Sequence, residues 1–310
     1  MQVHGDAIRF GVHSGPENTT YDDLASLWLR VEELGYDWVS VFDHFRPIFS
    51  DPAGRQFEGP TTMAALAAIT SRIRVAILVT GVTYRHPAVA ANIAATIDHI
   101  SGGRSEYGVG AAWFELEHDM YGIPFPRIGV RMDMLDEACR VMRSLWTEES
   151  VTFEGEHYQL RDARLNPKPV QEHLPLVIGG SGEKRTLRIV AEHADIWNGF
   201  FAPPEDYQHK LDVLRGHCEA VGRPFEDVRK SITVRAILAE TEEAAKAKAE
   251  RAGSSRALAG AFAGTPEQLA EKLVVLRDMG AGDFLLSGPA PYDHETIELM
   301  ATQVAPLVRA

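Results

Sequence analysis

An acid and a base stand side by side at Asp43 and His44, directly after an apolar run that predicts a β-strand. Histidine both gives and takes a proton near neutral pH, which makes His44 a candidate catalytic residue. A carboxylate that caps a loop beside a half-exposed histidine would produce the same pattern, so the pair alone leaves both interpretations open. His13, at the end of the preceding predicted strand, is a further candidate for lining the same pocket.

A glycine-rich run at 179–182 separates a predicted strand from a predicted helix over 183–193. Exposed backbone N–H groups and the positive end of a helix dipole together favour phosphate. Lys184 and Arg185 in the first turn of that helix would oppose the dipole unless an anion binds there, which favours a phosphate site over a purely structural turn. The predicted anion-binding residues are Gly179, Gly180, Ser181, Gly182 and Lys184.

Small and aromatic residues follow two other predicted strands. Ala111 and Ala112 leave room for a planar ring, and Trp113 after them either covers a pocket or fills the core. Trp197 is likewise either a pocket wall or a packing residue. The acidic run over 115–119 could suggest a metal, but acidic loops are usually solvated, and no metal site is predicted. The residues alone therefore predict an enzyme that binds a flat cofactor carrying a phosphate, without identifying that cofactor.

Alternating β-rich and helical periodicities must position these residues. Strands are predicted over 9–12, 37–42, 74–80, 106–110, 176–178, 195–198, 231–238 and 283–286. Helices are predicted over 21–35, 61–70, 86–100, 129–146, 183–193, 204–221, 242–251, 265–279 and 294–308. Such a succession most simply makes one (β/α)8 TIM barrel spanning 1–310, with an insertion at about 147–175. The alternative, a doubly wound sheet, would need a glycine at position 113, which is tryptophan.

Composition excludes several classes of partner. In the 310-residue chain, 44 acidic residues outnumber 31 basic ones, giving a net charge of -13. That sign argues against nucleic acid or an anionic membrane as the main partner. The two cysteines, the lack of a leader pattern and the lack of an apolar run of about 20 residues together predict a cytoplasmic protein.

The order of several motifs carries a family resemblance. They are DH at 43–44, LVTGVTYRHP at 78–87, ISGGRSEYGVGAAW at 100–113, YGIPF at 121–125, NPKPV at 166–170 and GGSGEK at 179–184. So ordered, they resemble the bacterial luciferase-like family of flavin and deazaflavin oxidoreductases. The resemblance is greatest to the actinobacterial branch that uses the deazaflavin coenzyme F420. It implies a (β/α)8 barrel with insertions, a homodimer, and a cofactor in the barrel mouth.

The resemblance also implies roles for individual residues. It makes Asp43 a cofactor contact and His44 the proton-transfer histidine. It implies a non-proline cis peptide near Leu78–Val79, with Thr80 beside the cofactor ring. It assigns Ala111 and Ala112 to the cofactor and 179–182 to its phosphate. In the sugar-phosphate dehydrogenases of this branch a catalytic glutamate follows the alanine pair, whereas this sequence has Trp113, which implies a different and more apolar substrate.

Three functions follow in order of preference. The first is hydride transfer between F420 and a small organic substrate, with Lys184, Arg185 and Arg188 available to the glutamate tail of that coenzyme. The second is an FMN-dependent monooxygenase that uses O2 and reduced flavin supplied by a separate reductase. The third is a non-catalytic flavin-binding homologue.

Overall fold

Eight parallel strands close into a barrel in the computed structural model, which describes residues 7–49, 51–252 and 258–310. The strands are β1 (Arg9–Ser14), β2 (Trp38–Val41), β3 (Arg74–Gly81), β4 (Ser105–Gly110), β5 (Val151–Glu154), β6 (Gln159–Ala163), β7 (Leu176–Gly179), β8 (Ile196–Phe200), β9 (Arg229–Val234), β10 (Ala236–Leu238), β11 (Phe262–Gly264) and β12 (Ala281–Gly288). Around the barrel the order is β1, β2, β3, β4, β7, β8, β9 and β12, and β12 pairs with β1 to close it. The predicted (β/α)8 fold is therefore confirmed.

Helices follow the barrel strands and pack outside them. They are α1 (Tyr21–Glu33), α2 (Gly59–Ile69), α3 (Pro87–Ser101), α4 (Glu115–Tyr121), α5 (Ile128–Thr147), α6 (Thr186–His193), α7 (Pro204–Val221), α8 (Glu242–Ala252), α9 (Pro266–Asp278), α10 (His294–Leu299) and α11 (Ala305–Arg309). The sequence predicts the last two as one helix over 294–308, and a π-helical turn over Met300–Val304 joins them. Strands β5 and β6 form an antiparallel hairpin inside the expected insertion.

Two apolar layers hold the barrel together. Inside it, strand residues form one buried cluster of Trp38, Ala76, Leu78, Val177, Ile196 and Leu285. A larger cluster fills the space between strands and helices. Because the strands are covered on both faces, they appear in the sequence as nearly continuous apolar runs.

Local signals fix several helix ends. The Thr20 side chain accepts a hydrogen bond from the Asp23 amide at the start of α1. Thr265 and Gln268 form a capping box at the start of α9. Gly102, in the left-handed region at φ 65°, ends α3. These residue types are typical of helix caps and stops.

Two sequence predictions near the barrel mouth are wrong. The acidic run 115–119, interpreted as a loop, belongs to α4, which Gly122 ends in the left-handed conformation. The predicted strand 231–238 is divided at Arg235, because β9 stays in the barrel while β10 pairs with β11 in a separate sheet. As a result, the acidic residues of α4 and the cation Arg235 lie near the mouth of the barrel.

Both cysteines are buried and unpaired: Cys139 in α5 and Cys218 in α7. Burial raises the pKa of each thiol. Across the described residues, every helix is too short or too polar to cross a lipid bilayer.

Candidate active site

The carboxyl ends of the barrel strands surround a cavity of about 630 Å³. Apolar and aromatic side chains form much of its wall, with a few polar groups among them. The predicted site residues that line it are His13, Asp43, His44, Leu78, Val79, Ala111, Ala112, Trp113, Gly179 and Gly180. Residues from strands β1, β2, β3, β4 and β7 and the loops after them thus meet at one place, as expected for a barrel of this kind.

His44 is held by a glutamate from α4. Its Nδ1 lies 2.6 Å from Oε1 of Glu117, which is fully buried. The same carboxylate accepts the Tyr84 hydroxyl at Oε1 and the Phe45 amide at Oε2, the latter at 2.8 Å. Burial opposes ionisation of Glu117, but the hydrogen bonds and charge of His44 together with the other donors outweigh it, so the pKa of Glu117 lies below its usual value.

Because Glu117 is ionised, the position of the proton on the His44 ring can be assigned. Since the carboxylate only accepts hydrogen bonds, Nδ1 of His44 must donate, and this assignment follows from the hydrogen-bond network. Nε2 then remains as the ring nitrogen available to a molecule in the cavity. The His44 ring is 7% exposed and has four aromatic neighbours, with centroids 5.5 to 6.4 Å away: Phe42, Tyr84, Trp113 and Phe114.

Asp43, which lines the cavity, also belongs to a second hydrogen-bond network. Its buried carboxylate accepts the Thr80 hydroxyl at 2.5 Å and pairs with the guanidinium of Arg85. Arg85 also pairs with Glu58. Burial alone would lower the pKa of Arg85, but the Asp43 and Glu58 charges raise it. Thr80 lies outside the cavity lining, since its hydroxyl is directed to Asp43, and Arg85 is engaged by internal carboxylates rather than being free for a ligand.

The glycine run is shaped as a tight turn before α6. Gly180 adopts φ 118°, a conformation that favours glycine. Within the described structure, the backbone amides of 181–185 donate no hydrogen bond. Ser181, Gly182 and Lys184 do not line the cavity but directly follow Gly180, which does. This row of free N–H groups is the feature of the turn that can bind an anion.

One prediction about this turn is wrong. Helix α6 begins at Thr186, not at 183, so Lys184 and Arg185 precede its first turn. Arg185 pairs with Asp133 and donates to the Gly129 carbonyl at 2.9 Å, which explains its presence without an anion. Arg188 pairs with Glu192. Of the three cations expected to meet the tail of a cofactor, Lys184 is the one with no ion pair in the described structure.

Val79 explains the small residues of the neighbouring strands. The Leu78–Val79 peptide is cis, at the position that the resemblance implies. A Cβ added to Gly108 or Gly110 would lie 2.8 or 2.9 Å from a Val79 methyl, and one added to Gly179 would lie 3.2 Å away. Gly110 and Gly179 therefore make room for Val79, and Gly108 makes room for both Val79 and the Ile77 carbonyl oxygen, which would lie 2.3 Å from its added Cβ. Ala111 and Ala112 line the cavity itself.

The two tryptophans have different positions. Trp113 is 52% exposed and lines the cavity. Trp197 is buried outside it, where Nε1 donates to the Gly180 carbonyl at 2.8 Å and the ring stacks on Tyr207. Of the two interpretations of Trp197, the pocket wall is wrong and the packing residue is right, because its indole donates to the Gly180 carbonyl from outside the cavity.

His13 lies in the cavity wall as a neutral imidazole. Its Nδ1 is 2.8 Å from the Ser40 hydroxyl. Burial lowers its pKa to about 4, with smaller contributions from the positive charges of Arg235 and His44. His13 is therefore uncharged at neutral pH.

Sequence reasoning missed three residues of this site: Glu117, Tyr84 and Arg235. Glu117 belongs to the acidic run that the sequence pattern alone indicates to be a solvated loop. The signal that could have found it is Gly122, a helix stop that makes 115–121 a short helix with an inward face. Nothing in the sequence indicates that its partner would be His44.

A group of possible metal ligands lies away from the cavity. Side-chain atoms of Asp136, Glu192 and His193 lie within 4.8 Å of one another. Arg140 and Arg188 pair with the two carboxylates. The cluster is therefore charge-balanced by arginines and gives no support for a metal.

Comparison with known proteins gives one family and several relatives. The profile described as luciferase-like monooxygenase matches residues 6–259. An F420-dependent glucose-6-phosphate dehydrogenase of Kineococcus radiotolerans is 33% identical over 59% of this chain and 53% of its own length. An FMNH(2)-dependent dimethylsulfone monooxygenase of Pseudomonas putida is 30% identical over 83% of this chain and 80% of its own length. The alignment thus spans about half of the first relative and most of the second.

Solved structures share the fold. An F420-dependent secondary alcohol dehydrogenase in complex with an F420-acetone adduct superposes with a TM-score of 0.84. The superposition covers 98% of this chain and 100% of that chain at 21% identity. At this identity the likeness is one of architecture.

Proposed function

This chain belongs to the luciferase-like monooxygenase family, and from that premise we propose that it is an oxidoreductase that transfers a hydride between coenzyme F420 and a small organic substrate. Its Kineococcus relative, named as an F420-dependent dehydrogenase, supports the choice of cofactor. Trp113, Ile128 and Phe200, all exposed at the rim of the cavity, support an apolar substrate.

The observation that carries the proposal is the contact of His44 with Glu117 at the cavity wall. When bound, F420 supplies a ring carbon that exchanges a hydride with the substrate. A hydroxyl that loses a hydride must also lose a proton, and Nε2 of His44, when unprotonated, would accept it. Glu117 stabilises the resulting imidazolium, because its buried carboxylate stays ionised. In the reverse direction the same imidazolium returns the proton to a carbonyl oxygen.

The residues present fit a flat, phosphate-bearing cofactor. The free amides of 181–185 and the start of α6 would bind its phosphate. Leu78, Val79, Ala111 and Met132, which are apolar residues of the cavity lining, would contact its ring. Lys184 would meet the terminal carboxylates that distinguish F420 from FMN.

An FMN-dependent monooxygenase is the second candidate. The Pseudomonas relative supports it, since that alignment covers more of both chains than the Kineococcus alignment does. The same free amides would bind the FMN phosphate. This function would need a separate reductase to supply reduced flavin. A flavin-binding homologue without turnover is the third candidate.

A parallel titration of the purified protein with F420 and with FMN tests the proposal. We expect F420 to bind at least about tenfold more tightly, a difference of about 1.4 kcal/mol. Lys184→Gln should weaken F420 binding and leave FMN binding unchanged, because only F420 carries tail carboxylates. Micromolar FMN binding without F420 binding would reverse the order of the first two candidates. Tight binding without oxidation of any substrate would favour the third.

The expected homodimer is a separate proposal that rests on the family resemblance. Sedimentation of the purified chain tests it directly. A species of one chain's mass at all concentrations would contradict it.

A further inference from the structure

Arg235 is a cavity-lining cation without an acidic partner among the described residues. It follows β9 at the point where the chain leaves the barrel for β10. Apart from the histidines, the other ionisable side chain in the described lining that could pair with it is Asp43, which instead pairs with Arg85. The segment 253–257, outside the described residues, has the sequence GSSRA and contains no acid.

The surroundings of Arg235 offer little compensation for its charge. Nη1 of Arg235 donates to the Ala259 carbonyl at 3.2 Å. The other N–H groups of the guanidinium have no acceptor among the described residues. The guanidinium lies 5.7 and 6.0 Å from the ring centroids of Phe49 and Phe200. Burial lowers its pKa, and no carboxylate acts in the opposite direction. A partly desolvated, unpaired guanidinium is costly unless something binds to it.

Strand register places Arg235 at the level of His13 in the same cavity. Val234 pairs with Leu286 between β9 and β12, and Ser287 pairs with His13 between β12 and β1. Arg235 and Ser287 follow the first pair directly, so they reach the level of His13 on adjacent strands. All three line the cavity.

An apolar path connects Arg235 to His44. The Phe42 ring lies 5.5 Å from the His44 ring and 6.2 Å from the Phe49 ring, which in turn lies under Arg235. Ile48 adds a further apolar side chain to this wall. A molecule that reaches both Arg235 and His44 must therefore have an apolar middle.

We propose that Arg235 binds the carboxylate of the substrate, which is an organic acid with an apolar chain between that group and its reacting carbon. A guanidinium holds a carboxylate through two parallel N–H···O bonds, an arrangement that lysine cannot reproduce. The identity of the reacting carbon rests on the proposed function, but the carboxylate site does not, because it can be tested by binding alone.

Calorimetric titration tests the site with matched pairs of ligands. The probes are straight-chain carboxylates from butanoate to decanoate, benzoate, and the corresponding amides. Each is added to the protein as purified and to the protein saturated with whichever cofactor binds. We expect at least one acid to bind roughly tenfold or more tightly than its amide, the scale of hydrogen bonds to a charged group.

Three variants accompany the titration. Arg235→Gln should abolish the preference for the acid, and Arg235→Lys should retain part of it. Arg161→Gln, at an exposed position in the β5–β6 hairpin, changes the net charge equally and should keep the full preference. Thermal melting of each variant checks that it is folded. If Arg235→Gln does not fold, the proposal is tested by whether Arg235→Lys shows a reduced preference for the acid over its amide.

Several results would overturn the proposal. Amides that bind as well as every acid, or no acid bound at up to about 10 mM, would do so. So would an unchanged preference in Arg235→Gln. Loss of F420 or FMN affinity in that variant, with the acid preference intact, would assign Arg235 to the cofactor instead. If neither cofactor binds the native protein, the proposed function fails while the comparison of acids with amides still decides this site.

Discussion

Oε1 of Glu117 lies 2.6 Å from Nδ1 of His44, although 73 positions separate the two residues in the sequence. Tyr84 donates to the same oxygen, and the Phe45 amide donates to the other. His44 therefore has Nδ1 fixed by a buried anion, while Nε2 is available to a molecule in the cavity. The predictions below test this arrangement and the groups around it.

Replacement of His44 by alanine should remove proton transfer. Turnover should fall by roughly 10²–10⁴-fold, the usual range for an acid–base group. Cofactor affinity should stay within a few-fold, because the proposed phosphate site lies in the turn between β7 and α6. Steady-state kinetics and cofactor titration measure the two effects. His294→Ala, at an exposed histidine at the start of α10, is the control, and unchanged turnover in His44→Ala would remove His44 from the mechanism.

Glu117→Gln should preserve the shape of the site but remove the negative charge of the Glu117 side chain. Turnover should fall by about 10–10³-fold, because an amide does not enforce the Nδ1–H form or stabilise the imidazolium. Nitrogen NMR of labelled histidine should show His44 changing from one tautomer to a mixture. Glu115→Gln neutralises an exposed carboxylate on the same helix and should change neither measurement. A native tautomer and native turnover in Glu117→Gln would contradict the assigned role.

Gly180→Ala should weaken cofactor binding. At φ 118° an alanine is strained, and its Cβ would lie 3.3 Å from the Thr186 methyl, so the turn should shift and its amides with it. We expect a loss of stability of about 1–3 kcal/mol and a cofactor affinity at least severalfold lower. Gly222→Ala, also at positive φ but with open space around it at the end of α7, should reduce stability alone. Equal cofactor affinities in the two variants would count against the phosphate site.

His13 should make the protein less stable as the pH falls. Its pKa is about 4 in the folded chain and about 6.5 when unfolded, so between these values only the unfolded chain takes up the proton. The resulting loss is on the order of 2 kcal/mol at pH ~5 relative to neutral pH. Urea unfolding of the native protein and of His13→Asn at both values isolates this contribution. A variant that loses as much stability as the native protein would exclude His13 as the cause.

Much of the barrel could be predicted because its signals are local. Parallel strands covered on both faces are apolar throughout, and Thr20 and Thr265 stand directly before helical runs. The extra helix α4 was missed because its seven residues are mostly polar. The break at Arg235 was missed because β9 and β10 continue each other in sequence and differ only in which strand pairs with them.

The sequence predicted individual residues of the site but not the contacts between them. His44 and the glycine turn have recognisable types and neighbours along the chain. The pairing of His44 with Glu117 depends on how α4 packs across the barrel mouth, and a sequence does not encode that contact locally. Arg185 is the opposite case. Its position in the sequence suggests an anion site, but in the structure Arg185 pairs with Asp133.

Buried Cys139 and Cys218 make the native chain unreactive toward thiol-directed reagents, since both thiols are shielded and their raised pKa values disfavour the nucleophilic thiolate. A cysteine introduced at the rim, for example at the half-exposed position of Trp113, would therefore be the one site that a maleimide dye modifies. Fluorescent reporters of ligand entry can thus be attached without first deleting either natural sulfhydryl.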